Sequence, residues 1–217
     1  MLDFSLGGSR SAPLRILCLG AHSDDIEIGC GATMLRLLAE RPGSTVVWVV
    51  LSADAERERE ARSSAADFLV DAADSTVIVK SFRESYFPYD GAQIKDFFEV
   101  VKKSIEPDLV LSHHVNDEHQ DHRTVAQLTW NTFRNHLVAE YEIPKYEGDL
   151  GHPNAYVPVS DEVAERKIEL LLKHFGSQHR RSWFRSETFR GIMAIRGVEC
   201  NAASGFAEGL HMRKLIM

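Results

Sequence analysis

Residues 17–33, LCLGAHSDDIEIGCGAT, constrain this chain more than any other stretch. An apolar run over 14–19 ends at Gly20 and gives way at once to His22, Asp24 and Asp25. The run has the length and apolarity of a buried parallel strand, and 28–38 reads as the helix that follows it. The polar cluster is therefore expected at a strand's carboxyl end. In open α/β sheets the loops at that edge turn away from the sheet and leave a crevice for ligands, and a helix amino terminus adds positive partial charge nearby.

The same alternation continues. TVVWVVL (45–51) reads as a second buried strand, 56–69 as a helix facing inward through Ala61, Ala65, Phe68 and Leu69, and TVIVK (76–80) as a third strand. After an aromatic loop at 81–91, a helix is expected over 92–105, stopped before Pro107, then a short strand at 109–111. Beyond it, 124–135 reads as a helix, 138–143 as a strand, 146–158 as a loop that faces substrate, and 161–175 and 189–198 as helices. The β-α-β rhythm predicts one three-layer α/β/α domain over 1–217 with a mainly parallel, Rossmann-like sheet.

Composition removes several function classes. A net charge of −7 and no block of Lys or Arg give no attraction for a phosphate backbone, so nucleic acid is not an expected partner. No apolar run approaches the roughly 18 residues of a membrane span, and 1–13 resembles neither a signal nor a transit peptide. The odd count of three cysteines, Cys18, Cys30 and Cys200, lacks any C-x-x-C spacing. Cys18 inside the first strand is expected to be a buried reduced thiol, which points to a cytoplasmic location.

One imidazole and two carboxylates within four residues suit a divalent metal, because neutral imidazole nitrogen and carboxylate oxygen both ligate zinc. A tight turn can bring His22 and Asp25 onto one ion, leaving Asp24 free beside it as a base. The plainer alternative is that Asp24 and Asp25 cap the helix. A second cluster, HHVNDEHQDH, follows the fourth strand: His113, His114, Asp117, His119, Asp121 and His122. His122 can supply a third ligand, His119 falls on the same side if the segment is helical, and Asp117 and Asp121 can fix imidazole tautomers by accepting an N–H. Two such clusters at two expected strand ends favour metal chemistry over a solvated loop.

At these residues a resemblance becomes specific. AHSDDIEIGCGAT (21–33) resembles the A-H-P-D-D-x-E-x-G-x-G-G-T signature of the PIG-L/LmbE-like deacetylases, and HVNDEHQDHR (114–123) their second motif, ending H-x-D-H. Arg57 and Glu60, Ser177-Gln178, Arg196-Gly197 and Ala207-Glu208 are similar to further family segments. Ser23 stands where the family usually has Pro, and Ala32 where it has the second Gly of a pair. The resemblance implies one zinc ion held by His22, Asp25 and His122, with Asp24 as general base, His119 (protonated) at the oxyanion, Asp121 orienting His119, and Arg57 contacting the substrate. It implies an amide hydrolase that removes an acyl group, usually acetyl, from a small-molecule amino sugar such as N-acetylglucosamine or from its conjugate. A homo-oligomer is compatible with it.

Two other classes are weighed. Gly20, Gly29 and Gly31 after a strand suggest a Rossmann nucleotide site, but they do not fit G-x-G-x-x-G, and two carboxylates would repel a pyrophosphate. An inactive sugar-binding or assembly protein of the same fold would have little reason to keep every metal and acid–base group.

Overall fold

The computed structural model describes residues 11–215. The leader reading for 1–13 therefore lies almost wholly outside the described residues.

The two most apolar runs become the centre of the sheet, because only strands flanked on both sides can hide such sequences from water. The strands are β1 (Arg15–Gly20), β2 (Thr45–Val50), β3 (Asp74–Val79), β4 (Leu109–His113), β5 (Val138–Tyr141), β6 (Ala155–Val159) and β7 (Phe206–Met212). Their order is β3-β2-β1-β4-β5-β7-β6. The first five run parallel, while β7 pairs antiparallel with both β5 and β6. The molecule is a single α/β domain with a mostly parallel seven-stranded sheet.

Among the described residues six α-helices cover it: α1 (Asp25–Glu40), α2 (Ala55–Phe68), α3 (Gly91–Ser104), α4 (Gln120–Thr132), α5 (Asp161–His174) and α6 (Ser186–Cys200). Side chains along β1 alternate between two cores. Ile16 and Cys18 face α1, α2, α5 and α6 with Phe68, Ile168, Leu171, Phe189 and Met193. Leu17 and Leu19 face α3 and α4 with Ile94, Phe98, Val125 and Phe133. Two helix starts are capped by side chains: Asp54 accepts the N–H groups of Glu56 and Arg57, and Ser160 that of Val163. Cys18 and Cys30 are buried and free, and Cys200 is free and partly exposed.

The C-terminal third departs from expectation. Only the first part of 146–158 is irregular; its end joins β6, opposite β7. The sequence of β7, FAEGLHM, hides its strand character behind a Glu, a Gly and a His. Glu208 is nonetheless buried, and it is tolerated there because Lys167 meets it at 2.6 Å.

The parallel topology places the site. The chain goes from β1 outward through β2 to β3, then returns to lay β4 on the other flank of β1. The carboxyl ends of β1 and β4 thus border the topological switch point, where a crevice opens.

Candidate active site

The first cluster occupies the turn between β1 and α1. Gly20 permits that turn, since a Cβ there would lie 3.0 Å from Ile26 Cγ1 and 3.2 Å from the His22 carbonyl oxygen. The His22 N–H donates to Asp25 Oδ2 at 2.7 Å, and the Asp24 carbonyl accepts the Ile28 N–H at 3.0 Å. The second cluster spans the end of β4 and the start of α4. His119 is the N-cap of α4, and Asp121 and His122 lie buried in its first turn.

The turn and α4 bring His22, Asp25 and His122 into mutual contact, Asp25 meeting the two imidazoles through different oxygens. His22 Nδ1 lies 3.2 Å from His122 Nε2 and 3.4 Å from Asp25 Oδ2, and Asp25 Oδ1 lies 3.4 Å from His122 Nε2. Zinc takes nitrogen and oxygen at about 2.0–2.2 Å in a tetrahedron, whose edges are then about 3.3–3.6 Å. The spacings fit. So do the tautomers: His22 Nε2 is 3.2 Å from Asp121 Oδ2, and His122 Nδ1 is 3.0 Å from Asp117 Oδ2. A carboxylate only accepts, so it holds a proton on that nitrogen and, when each ring is neutral, leaves His22 Nδ1 and His122 Nε2 as lone pairs facing each other. Two lone pairs and a carboxylate in contact call for positive charge, supplied by a metal ion or by a proton on an imidazole. Burial works against charge on His22, but the Asp25 carboxylate and the hydrogen bond to Asp121 outweigh it and raise the imidazole to about 10. Burial likewise opposes ionised Asp25, yet His122, His113 and His22 hold it well below the usual carboxylate range. Among the described residues, two groups of side chains have ligand atoms close enough for a metal: His22 with His119 and His122, and Asp25 with His113 and His122. His122 belongs to both, and the trio of His22, Asp25 and His122 that the resemblance implies is divided between them.

Asp24 is buried but points elsewhere. Arg57 spans it, donating Nε to Ser23 Oγ at 2.9 Å, Nη1 to Glu84 Oε2 at 3.0 Å and Nη2 to Asp24 Oδ1 at 3.4 Å. Burial, then the charge of Asp25, raises the Asp24 pKa above the usual carboxylate value despite that guanidinium. Ser23, in the place of the expected Pro, thus supplies a hydroxyl that anchors Arg57.

Two expected details change. The Asp121 carboxylate does not reach His119; it accepts the N–H groups of Ser85 at 2.6 Å and Phe87 at 3.1 Å and faces His22. Ser85 adopts φ 67°, a left-handed backbone, to make that contact. What orients His119 is the Asp121 backbone, whose N–H donates to His119 Nδ1 at 3.2 Å. The other change concerns charge: burial, then the neighbouring imidazoles of His122 and His22, lower the His119 pKa. With Nδ1 accepting the Asp121 N–H, His119 is placed as a neutral imidazole carrying its proton on Nε2. The first turn of a helix sets this geometry, and sequence spacing alone does not reveal it.

Sequence reasoning left His113 without a role. Its ring stacks on His122 with centroids 3.9 Å apart. Its Nε2 lies 3.0 Å from the Ala21 N–H and 3.2 Å from Asp25 Oδ2. Its place as the last residue of a strand beside β1 is the signal that would have found it. Lys145 was also missed; it meets Asp117 at 3.1 Å and Asp149 at 2.6 Å.

The profile of the PIG-L family, GlcNAc-PI de-N-acetylase, matches residues 17–133, which is more than half of the chain and holds both clusters. The chain belongs to the PIG-L family. Outside the PIG-L profile, the uncharacterized deacetylase YaiS of Escherichia coli K12 is 27% identical over 186 residues, covering 80% of this chain and 97% of that one. N,N'-diacetylchitobiose deacetylase from Pyrococcus horikoshii, in complex with an inhibitor, superposes with a TM-score of 0.70 at 20% identity, over 97% of this chain and 87% of its own. GalB, the 4-carboxy-2-hydroxymuconate hydratase of Pseudomonas putida KT2440, gives 0.72 at 18% identity, over 94% and 98%. Likeness at that identity shows the shared fold, and a hydratase among the neighbours shows that this fold serves more than one reaction.

Proposed function

We propose that the protein is a zinc-dependent N-deacetylase that hydrolyses the amide of an N-acylated, most simply N-acetylated, amino sugar or amino-sugar conjugate. One observation carries the reading: ring nitrogens of His22 and His122 and the Asp25 carboxylate converge, with the buried Asp24 carboxylate, its pKa raised above the usual value and met by Arg57, next to them in the chain. The PIG-L match and the diacetylchitobiose deacetylase of the same fold support an acetylated sugar as substrate.

Zinc held by His22, Asp25 and His122 would supply Lewis acidity, which polarises the acyl oxygen and lowers the pKa of water to about 7. Asp24 takes the proton of the attacking water, and its raised pKa makes it a better base than an exposed carboxylate. The same carboxyl then returns the proton to the departing nitrogen as the C–N bond breaks, since neutral His119 has none to spare. His119 stabilises the tetrahedral oxyanion by a hydrogen bond from its Nε2–H, with no proton transferred. Asp121 serves twice, holding His22 through its carboxylate and His119 through its backbone N–H. Arg57, fixed by Ser23 and Glu84, faces the sugar hydroxyls. The free buried thiols accord with action in the cytoplasm, with the whole chain, 1–217, as one unit. No described helix is long and apolar enough to cross a membrane.

The test is a screen of zinc-loaded protein against N-acetylated amino sugars and their nucleotide, lipid and thiol conjugates, with detection of free amine. Amine release from at least one is expected. Saturable sugar binding by calorimetry with no amine from any compound would mean an inactive binding protein instead.

A further inference from the structure

Helix α1 is broken, and the break lies directly behind the proposed metal turn. Cys30 has φ −145° and ψ 20°, outside the helical region. A regular helix joins the Ile28 carbonyl to the Ala32 N–H. Here both groups turn to side chains from elsewhere. Lys167 Nζ, from α5, donates to the Ile28 carbonyl at 2.6 Å. Glu208, from β7, accepts the Ala32 N–H at 3.1 Å through Oε1 and the Thr33 N–H at 2.6 Å through Oε2. Lys167 closes the circuit on Glu208 Oε1 at 2.6 Å. Both side chains are almost fully buried, at 1% and 3% exposure. Packing fixes the same turn from the sheet side, because a Cβ on Gly29 would fall 2.2 Å from the Tyr141 ring.

We infer that Glu208 and Lys167 are positioning residues: they replace the missing helix rung and thereby aim the 24–28 turn, with Asp24 and Asp25 on it, at the metal position. The link is short. Lys167 holds the Ile28 carbonyl, and the Ile28 N–H holds the Asp24 carbonyl at 3.0 Å. A buried ion pair contributes little net stability over an apolar pair of similar volume, so orientation explains its presence here better than stability does. The assignment gives the Ala207-Glu208 segment a task outside the reacting groups, and it rests on the proposed zinc site.

The test compares the wild type with Glu208→Asp, Glu208→Gln and the double variant Lys167→Met/Glu208→Gln, which removes both buried charges together. Zinc affinity is read by chelator competition, ligand geometry by the visible spectrum of the Co2+ form, and kcat and KM by amine release. The double variant is expected to bind zinc about 10- to 100-fold more weakly, with a shifted cobalt spectrum, a lower kcat and an unchanged KM. Glu208→Asp keeps the charge but draws it back by one methylene, and should fall between the double variant and wild type. Phe98→Leu, in the opposite core, serves as a control that lowers thermal stability while leaving zinc affinity alone. A folded double variant with wild-type zinc affinity, cobalt spectrum and kcat overturns the inference. Should the double variant not fold, wild-type zinc affinity in Glu208→Asp overturns it equally. Wild-type protein that takes up no zinc sinks the functional reading itself, which is a separate result.

Discussion

Asp24 and Asp25 are neighbours in sequence with opposite pKa behaviour, and the difference is what partners each one meets. Burial raises both pKa values, but three imidazoles face Asp25 and favour its anion, whereas Asp24 has the anion of Asp25 behind it, offset in part by the Arg57 guanidinium and His22. Asp25→Ala should therefore lose zinc, measured as bound metal per chain, with His122→Ala behaving alike. Asp24→Asn should keep the metal and lose about 10² to 10⁴ in turnover, since the amide cannot take the proton. His119→Ala should also keep zinc and be slowed, removal of one oxyanion donor commonly costing about 3 to 4 kcal/mol. A metal-free Asp24→Asn beside a loaded Asp25→Ala would exchange the two roles. At the mouth, Tyr89 is 79% exposed and Tyr86 39% exposed with Arg83 stacked on its ring at 3.4 Å, whereas Phe87 is wholly buried. The loop thus divides between exposed and core positions. Tyr86→Ala and Tyr89→Ala should raise KM and leave metal content intact; unfolding of either would assign that ring to packing.

Individual elements carry their own predictions. Gly29 in α1 lies against the Tyr141 ring, and Tyr141 is itself fixed by a 2.7 Å hydrogen bond to the Leu19 carbonyl. Gly29→Ala should destabilise by about 1 to 3 kcal/mol or more through overpacking, measured by denaturant unfolding, and Tyr141→Leu should recover part of the loss. A neutral result would mean that the ring moves freely. On β7, His211 stacks on His114 at 3.9 Å, and burial, then the charge of His114, lowers its pKa to about 4. The folded form keeps this imidazole neutral while the unfolded chain titrates near 6.5. Its contribution is therefore intact above about pH 6.5, falls as the pH drops, and levels off near 4. Unfolding midpoints across that range should slope downward in the wild type and less so in His211→Gln. Equal slopes would remove His211 as the cause.

For the whole molecule, the metal is expected to act as a folding ligand. A ligand held only by the native state raises stability by RT ln(1 + [L]/Kd), about 2.7 kcal/mol at a hundredfold excess over Kd. Added zinc should raise Tm in the wild type and Asp24→Asn, chelation should lower it, and Asp25→Ala should respond to neither. The reason is topological: the ion would tie the β1 end to the α4 start, two segments about a hundred residues apart, such as His22 and His122.

The sequence by itself determined the parallel core strands, because runs such as TVVWVV admit no other burial, and it determined that two polar clusters end such strands. Family resemblance pointed to the ligand set on residue types alone. Tertiary structure decided what depends on neighbours from far along the chain. Laying β4 beside β1 made two clusters into one site. It also gave Asp121 to His22 instead of His119, left His119 neutral, and placed His113 behind Asp25. The fold made a strand of FAEGLHM, whose buried Glu208 is satisfied by Lys167 from α5 and by the Ala32 and Thr33 N–H groups of α1. Local periodicity carries burial and period, which is why the strands were legible; a proton's position depends on which charge lies within a few ångströms, and that is fixed only when the chain closes.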